Sequence, residues 1–203
     1  MNLLNFPIVP ILVIEDASWA KDLGYCLVES GFPLLEVTLR TPQSWQAIEA
    51  IAELGVIELG IGSVSSVDEL KRAKELNLKF AVSPGISRRL VESSREYEIS
   101  YLPGVATPSE MLLAMELDIS ILKWFPAESL GGIRALRSFS APFPNLKFIP
   151  TGGITEELAD DYLKEANVRA IGGSWMFPKD LMEKRDLASL EEIFRATTKR
   201  AQI

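Results

Sequence analysis

The chain has 203 residues, 47% hydrophobic and 24% charged, which suits one ordinary globular domain long enough to bury a continuous core. A net charge of −7, without a basic run or a basic face interleaved with aromatics, argues against nucleic acid or an anionic membrane surface as a partner. Histidine is absent and cysteine occurs once, which excludes His-containing metal sites, a Ser-His-Asp triad and an internal disulfide; acid–base chemistry falls to carboxylate, lysine, tyrosine or cysteine.

The opening "MNLLNFPIVPILVI" has no basic n-region and is broken by Pro7 and Pro10, so neither a secretory signal nor a spanning helix is expected and the protein reads as cytoplasmic. A first strand is expected over 8–14, then a helix that holds Cys26 among core neighbours and stops at the glycine of "ESGF", 29–32. Further strands are expected at 34–39, 57–61, 79–83, 99–102, 119–124, 147–151 and 168–173. Among the helices between them, "SVDE" (66–69) and "TPSE" (107–110) are capping boxes, the second with proline at the first helical position. "TEE" (155–157) loads acid onto another helix start, and the charged stretch 178–200 reads as a final helix pair. Trp19, Trp45 and most methionines fall at helical spacing and are expected in the core. Strand and helix alternate about eight times, which requires right-handed crossovers and a parallel sheet. Eight units with no linker favour a compact (β/α)₈ TIM barrel, one domain over 1–203, above an open doubly wound sheet.

In such a barrel, functional side chains gather at the C-terminal ends of the strands. The period of two in "LLEVTLRT" puts Glu36, Thr38 and Arg40 on one face and Leu35, Val37 and Leu39 on the other, so the polar face points into the barrel mouth. In "ISILKWFPAE", Ile119, Ile121 and Lys123 share a face, which brings the amine to the same mouth with Trp124, Phe125 and Pro126 expected to wall it in. Desolvation and a nearby Arg40 both favour the free, nucleophilic amine. Glycine pairs follow the last two strands, in "PTGGI" (150–154) and "IGGSW" (171–175), where barrel enzymes often cradle a phosphate on backbone N–H groups. Thr151 and Ser174 add hydroxyls there, and Ser63 in "GIGSV" (60–64) offers another beside a small backbone pocket. A lysine, a glutamate, an arginine and a phosphate cradle, with no metal-ligand set and no cofactor called for, describe a Schiff-base aldolase acting on a phosphorylated 2-keto acid.

At these residues the sequence resembles the 2-keto-3-deoxy-6-phosphogluconate (KDPG) aldolase family through "LEVTLRT", "SPG", "PGVATPSE", "LKWFPAE", "PTGGI" and "GGSW", spread over nearly the whole chain. The resemblance implies that Lys123 forms the Schiff base, Glu36 is the catalytic carboxylate and Arg40 contacts the pyruvyl carboxylate. It implies a phosphate site at Gly152, Gly153 and Ser174 with Thr151 beside them, and a homotrimer of (β/α)₈ barrels. Three departures from the family bear on substrate preference: Ser63 stands where many relatives have a substrate-contacting threonine, Trp124 where phenylalanine is usual, and the acidic "VIED" (13–16) where some relatives are basic. The rival substrates are the C4 epimer, 2-keto-3-deoxy-6-phosphogalactonate, and unphosphorylated 4-hydroxy-2-oxoglutarate. A rival of another class is a phosphosugar isomerase or epimerase using Glu36 as base, and a further one is a barrel that only binds a phosphorylated ligand.

Overall fold

Short β-branched and apolar runs form the strands, and their pairings in the computed structural model, which describes residues 6–201, are all parallel. Residues 1–5 of the proline-broken opening lie outside the described residues. The strands are β1 (Ile8–Leu12), β2 (Leu34–Thr38), β3 (Glu58–Gly62), β4 (Phe80–Val82), β5 (Ser100–Leu102), β6 (Gly104–Val105), β7 (Ile121–Trp124), β8 (Lys147–Pro150) and β9 (Ile171–Gly173). They are hydrogen-bonded in the order β5-β4-β3-β2-β1-β9 and, separately, β6-β7-β8.

Two seams join these sheets into a closed, curled wall. The fifth expected strand runs on past Leu102 as β6, interrupted at Pro103, which has no N–H to give the ladder. Ser83 N donates to Leu102 O on one side, and Lys123 N donates to Pro103 O on the other, so a single bent segment serves both sheets. At the opposite seam Phe148 N donates to Asn167 O and Arg169 N to Phe148 O, both at 2.8 Å, and a bridge pairs Thr151 with Gly172. Gly104 is required at the first seam, because a Cβ there would lie 2.2 Å from the Pro84 carbonyl oxygen.

Helices α1 (Ala20–Glu29), α2 (Ser44–Ala52), α3 (Val67–Glu75), α4 (Arg88–Glu96), α5 (Pro108–Glu116), α6 (Gly132–Phe139), α7 (Glu156–Leu163), α8 (Lys179–Lys184) and α9 (Leu187–Ala201) alternate with the strands. Both expected capping boxes form, Ser66 with Glu69 and Thr107 with Glu110, and Pro108 opens α5. Thr155 occupies the N-cap position of α7 without a side-chain cap bond, and the first turn carries Glu156 and Glu157. Gly31, at φ +83°, ends α1 in the left-handed conformation that only glycine adopts without strain.

Every residue of β1 and β2 is buried, as expected of strands covered by helices outside and by facing strands inside. Trp19, Met111 and Met176 belong to the core, but Trp45 and Cys26 do not lie fully in it. Trp45 is half-buried because the Arg72 guanidinium stacks 4.2 Å from its ring centroid, a contact that needs the aromatic face at the surface. Cys26 sits half-buried with its thiol facing Leu187 O at the start of α9, and burial pushes the thiol pKa up. Met115 is exposed, on the outer side of α5. Among the described residues no helix is long and apolar enough to cross a membrane, and no cluster of His, Cys, Asp or Glu is placed to hold a metal ion.

Candidate active site

β2 and β7 lie in different sheets, and Glu36 and Lys123 meet between them. Lys123 Nζ is 3.7 Å from Glu36 Oε1, with both side chains only 3% exposed. That separation exceeds hydrogen-bond length, so the pair attracts across a gap in a poorly solvated interior, and among the described residues Oε1 has no hydrogen-bond partner. A buried amine beside a carboxylate has a proton acceptor at hand, as a nucleophilic lysine requires.

The carboxylate has room only because of its neighbour on β3. A Cβ on Gly62 would lie 2.0 Å from Glu36 Oε1, and one on Gly60 would enter the Phe80 ring. The glycines of "GIGSV" thus make space for side chains on neighbouring strands, a role beyond the small backbone pocket expected of the motif. Gly62→Ala is expected to lower turnover at least tenfold while the far-ultraviolet circular dichroism stays that of the parent, because the methyl displaces the carboxylate and not the strand.

Lys123 has the Phe125 ring 5.2 Å from its ammonium nitrogen, as expected of a wall. Trp124 is not one. Strand alternation turns it to the helical layer, where it is fully buried with its ring edge-on to Phe139 of α6 at 6.1 Å. The tryptophan departure therefore fills the outer core and leaves the lysine's surroundings untouched. Pro126 and Phe125 reach the other way and pack on Gly152.

Arg40 follows β2 on a turn tied down by Thr41 Oγ1 donating to Ile14 O at 2.6 Å and Ser44 Oγ donating to Thr38 O at 2.8 Å. Its Nε donates to Ser63 Oγ at 2.8 Å, and among the described residues its other guanidinium N–H groups have no partner and can face a ligand. Ser63 holds this post at φ +63°, a left-handed conformation that a non-glycine residue adopts at a cost. The hydroxyl expected to touch substrate is thus engaged with the arginine.

At the end of β8, Gly152 and Gly153 are both left-handed, at φ +101° and +79°. The second glycine pair works differently: Gly172 and Gly173 lie within β9, where a Cβ would strike Thr151 Oγ1 and the Trp175 ring respectively. The Gly152–Gly153 turn is backed by the segment after β7, with Ala127 N donating to Thr151 O and Glu128 N to Gly152 O. Buried Tyr162 anchors that segment by donating its hydroxyl to the Glu128 carboxylate. Burial first, and then the carboxylate, raise the tyrosine pKa and keep this donor protonated. The "ESLGG" stretch, 128–132, is a turn that leads into α6, and it braces the cradle. Tyr162, at ordinary helical spacing, carried no signal of this.

A single cavity of about 90 Å³ is lined by Arg40, Lys123, Thr151, Gly152, Gly153 and Ser174. Of the candidate residues read from the sequence, the remaining two stand just behind it, Glu36 against Lys123 and Ser63 against Arg40. Amine, carboxylate and guanidinium thus share one end with the first glycine pair beside them, a layout that can hold a small keto acid by its carboxylate while the amine attacks its carbonyl carbon.

A family profile described as KDPG and KHG aldolase matches residues 2–193. The KHG/KDPG aldolase of Escherichia coli (strain K12) is 37% identical over 198 residues, covering 97% of this chain and 93% of that protein. Among solved structures, the KDPG aldolase of Zymomonas mobilis ATCC 29191 superposes with a TM-score of 0.89 at 36% identity, covering 96% of this chain and 94% of that one. The KDPG aldolase of Legionella pneumophila, which holds pyruvate as a covalent carbinolamine intermediate, gives 0.90 at 34% identity over 95% of this chain and 94% of its own. These neighbours are (β/α)₈ barrels.

Proposed function

The chain belongs to the KDPG and KHG aldolase family, and we propose that it is a lyase cleaving 2-keto-3-deoxy-6-phosphogluconate to pyruvate and D-glyceraldehyde 3-phosphate through a Schiff base on Lys123. The observation that carries this reading is the buried Lys123–Glu36 pair at 3.7 Å, whose lysine lines one cavity with Arg40. Arg40 binds the C1 carboxylate through the guanidinium edge that Ser63 leaves free. Glu36 takes a proton from the lysine, and the free amine adds to the C2 carbonyl carbon to give a carbinolamine. Glu36 returns the proton to the departing hydroxyl as water leaves and the iminium forms. It then accepts the C4 hydroxyl proton; the C4 oxygen becomes the aldehyde carbonyl, the C3–C4 bond breaks, and its electron pair moves into the iminium to give an enamine. Protonation at C3 and hydrolysis free pyruvate and restore the amine. Each proton has a carrier among these side chains, so the sequence of steps closes without a cofactor.

Gly152, Gly153, Thr151 and Ser174 hold the terminal phosphate in this reading, supported by the left-handed turn and two hydroxyls on one wall of the cavity. Unphosphorylated 4-hydroxy-2-oxoglutarate shares the pyruvyl half and is a second substrate, a reading supported by the double name of the Escherichia coli relative. A homotrimer in the cytoplasm belongs to the same proposal; light scattering after gel filtration tests the assembly and fractionation the location. The deciding experiment is incubation with pyruvate and sodium borohydride followed by peptide mapping. A reduced pyruvyl adduct on Lys123 is the expected result; a folded protein that traps nothing would move a non-covalent isomerase or epimerase to the front.

A further inference from the structure

The cradle is built from backbone N–H groups and hydroxyls, whereas a terminal phosphate carries between about one and a half and two negative charges near neutral pH. The cations lining that cavity, Arg40 and Lys123, are committed to the carboxylate and to carbon. Beside it lies a larger chamber of about 370 Å³, and Ile11, Val13 and Ser174 line both. Its cations are Lys179 and Arg185. Lys179 is 90% exposed and faces Glu183 one turn along α8, an ordinary solvated pair.

Arg185 differs in two respects. It caps α8 at φ +53°, a left-handed position where glycine fits without strain and a long side chain does not. It also pairs with Asp16, in the segment between β1 and α1, whose carboxylate in turn accepts a hydrogen bond from Ser18 N at 2.9 Å. This pair, with side chains 51% and 46% exposed, sets the guanidinium at the wall of a chamber whose boundary with the cradle is Ile11, Val13 and Ser174.

We propose that Arg185 is the cation that reads the substrate's terminal phosphate, held ready by Asp16. A guanidinium has five N–H donors in a planar fork, so one edge keeps Asp16 while another meets a phosphate oxygen. The assignment rests on the phosphate reading above and sharpens it by naming the residue that favours phosphorylated over unphosphorylated keto acids.

The test is Arg185→Gly, which removes the cation and relieves the backbone together, so loss of the fold is not the expected hazard. The readout is kcat/KM for 2-keto-3-deoxy-6-phosphogluconate divided by that for 4-hydroxy-2-oxoglutarate. The ratio is expected to fall about tenfold, mainly through KM, as for loss of one charge-assisted hydrogen bond. Arg185→Lys is expected to recover part of it. A wild-type ratio that survives in Arg185→Gly overturns the assignment, and so does an equal fall of both kcat/KM values, which would mark Arg185 as structural only. A wild type without preference for the phosphorylated substrate, yet trapped on Lys123 by borohydride, overturns the phosphate reading and this assignment with it. A wild type that traps nothing overturns the aldolase reading itself.

Discussion

Lys123→Met is expected to abolish cleavage, with kcat reduced by at least about 10⁴-fold and no borohydride adduct with pyruvate, because among the described residues no other amine lines the cavity. The same substitution bears on stability. Lys123 and Glu36 are each 3% exposed, and removing one partner of a buried pair strands the other charge. The expected loss is about 3–5 kcal/mol at neutral pH, measured by urea denaturation. Adding Glu36→Gln to Lys123→Met removes the stranded charge and is expected to restore most of that loss. A single variant as stable as the parent would mean that the pair is not held as described; one that keeps its turnover would end the covalent mechanism.

Glu36→Gln alone keeps the side-chain volume that Gly62 accommodates but cannot carry a proton. Turnover is expected to fall about 10²–10⁴-fold, the usual worth of a positioned acid–base group. Pyruvate still forms a reducible adduct on Lys123 in this variant, more slowly, because attack needs the amine while cleavage also needs the base at the C4 hydroxyl. Single-turnover kinetics separate the steps: adduct formation slows less than release of the aldehyde. Unchanged turnover would remove Glu36 from its role.

The sequence carried the alternation of strands and helices, and each expected strand lies close to where its apolar run placed it. It was legible because burial on both faces demands nearly continuous apolar residues, and the polar exceptions Glu36 and Lys123 then stand out. Local chemistry was legible too, since capping boxes and a left-handed glycine act within a few residues. Two kinds of information were not. Which side chain a glycine makes room for depends on the adjoining strand, so the service of Gly62 to Glu36 could not be read from "GIGSV". Trp124 was misplaced because adjacency in sequence suggested adjacency in space, whereas consecutive strand residues face opposite ways. Arg40 was placed at the mouth by periodicity, but its bond to Ser63 joins the ends of neighbouring strands and becomes visible only once their register is known.

The split at Pro103 has a consequence for how activity reports on folding. Glu36 belongs to the six-stranded sheet and Lys123 to the three-stranded one, so each half of the catalytic pair depends on a different set of ladder hydrogen bonds. Either sheet can hold one member in place, and neither can bring them together until both seams have formed. Catalysis is therefore a gauge of ring closure: during refolding, circular dichroism should recover as helices and separate sheets assemble, while turnover waits for the last seam.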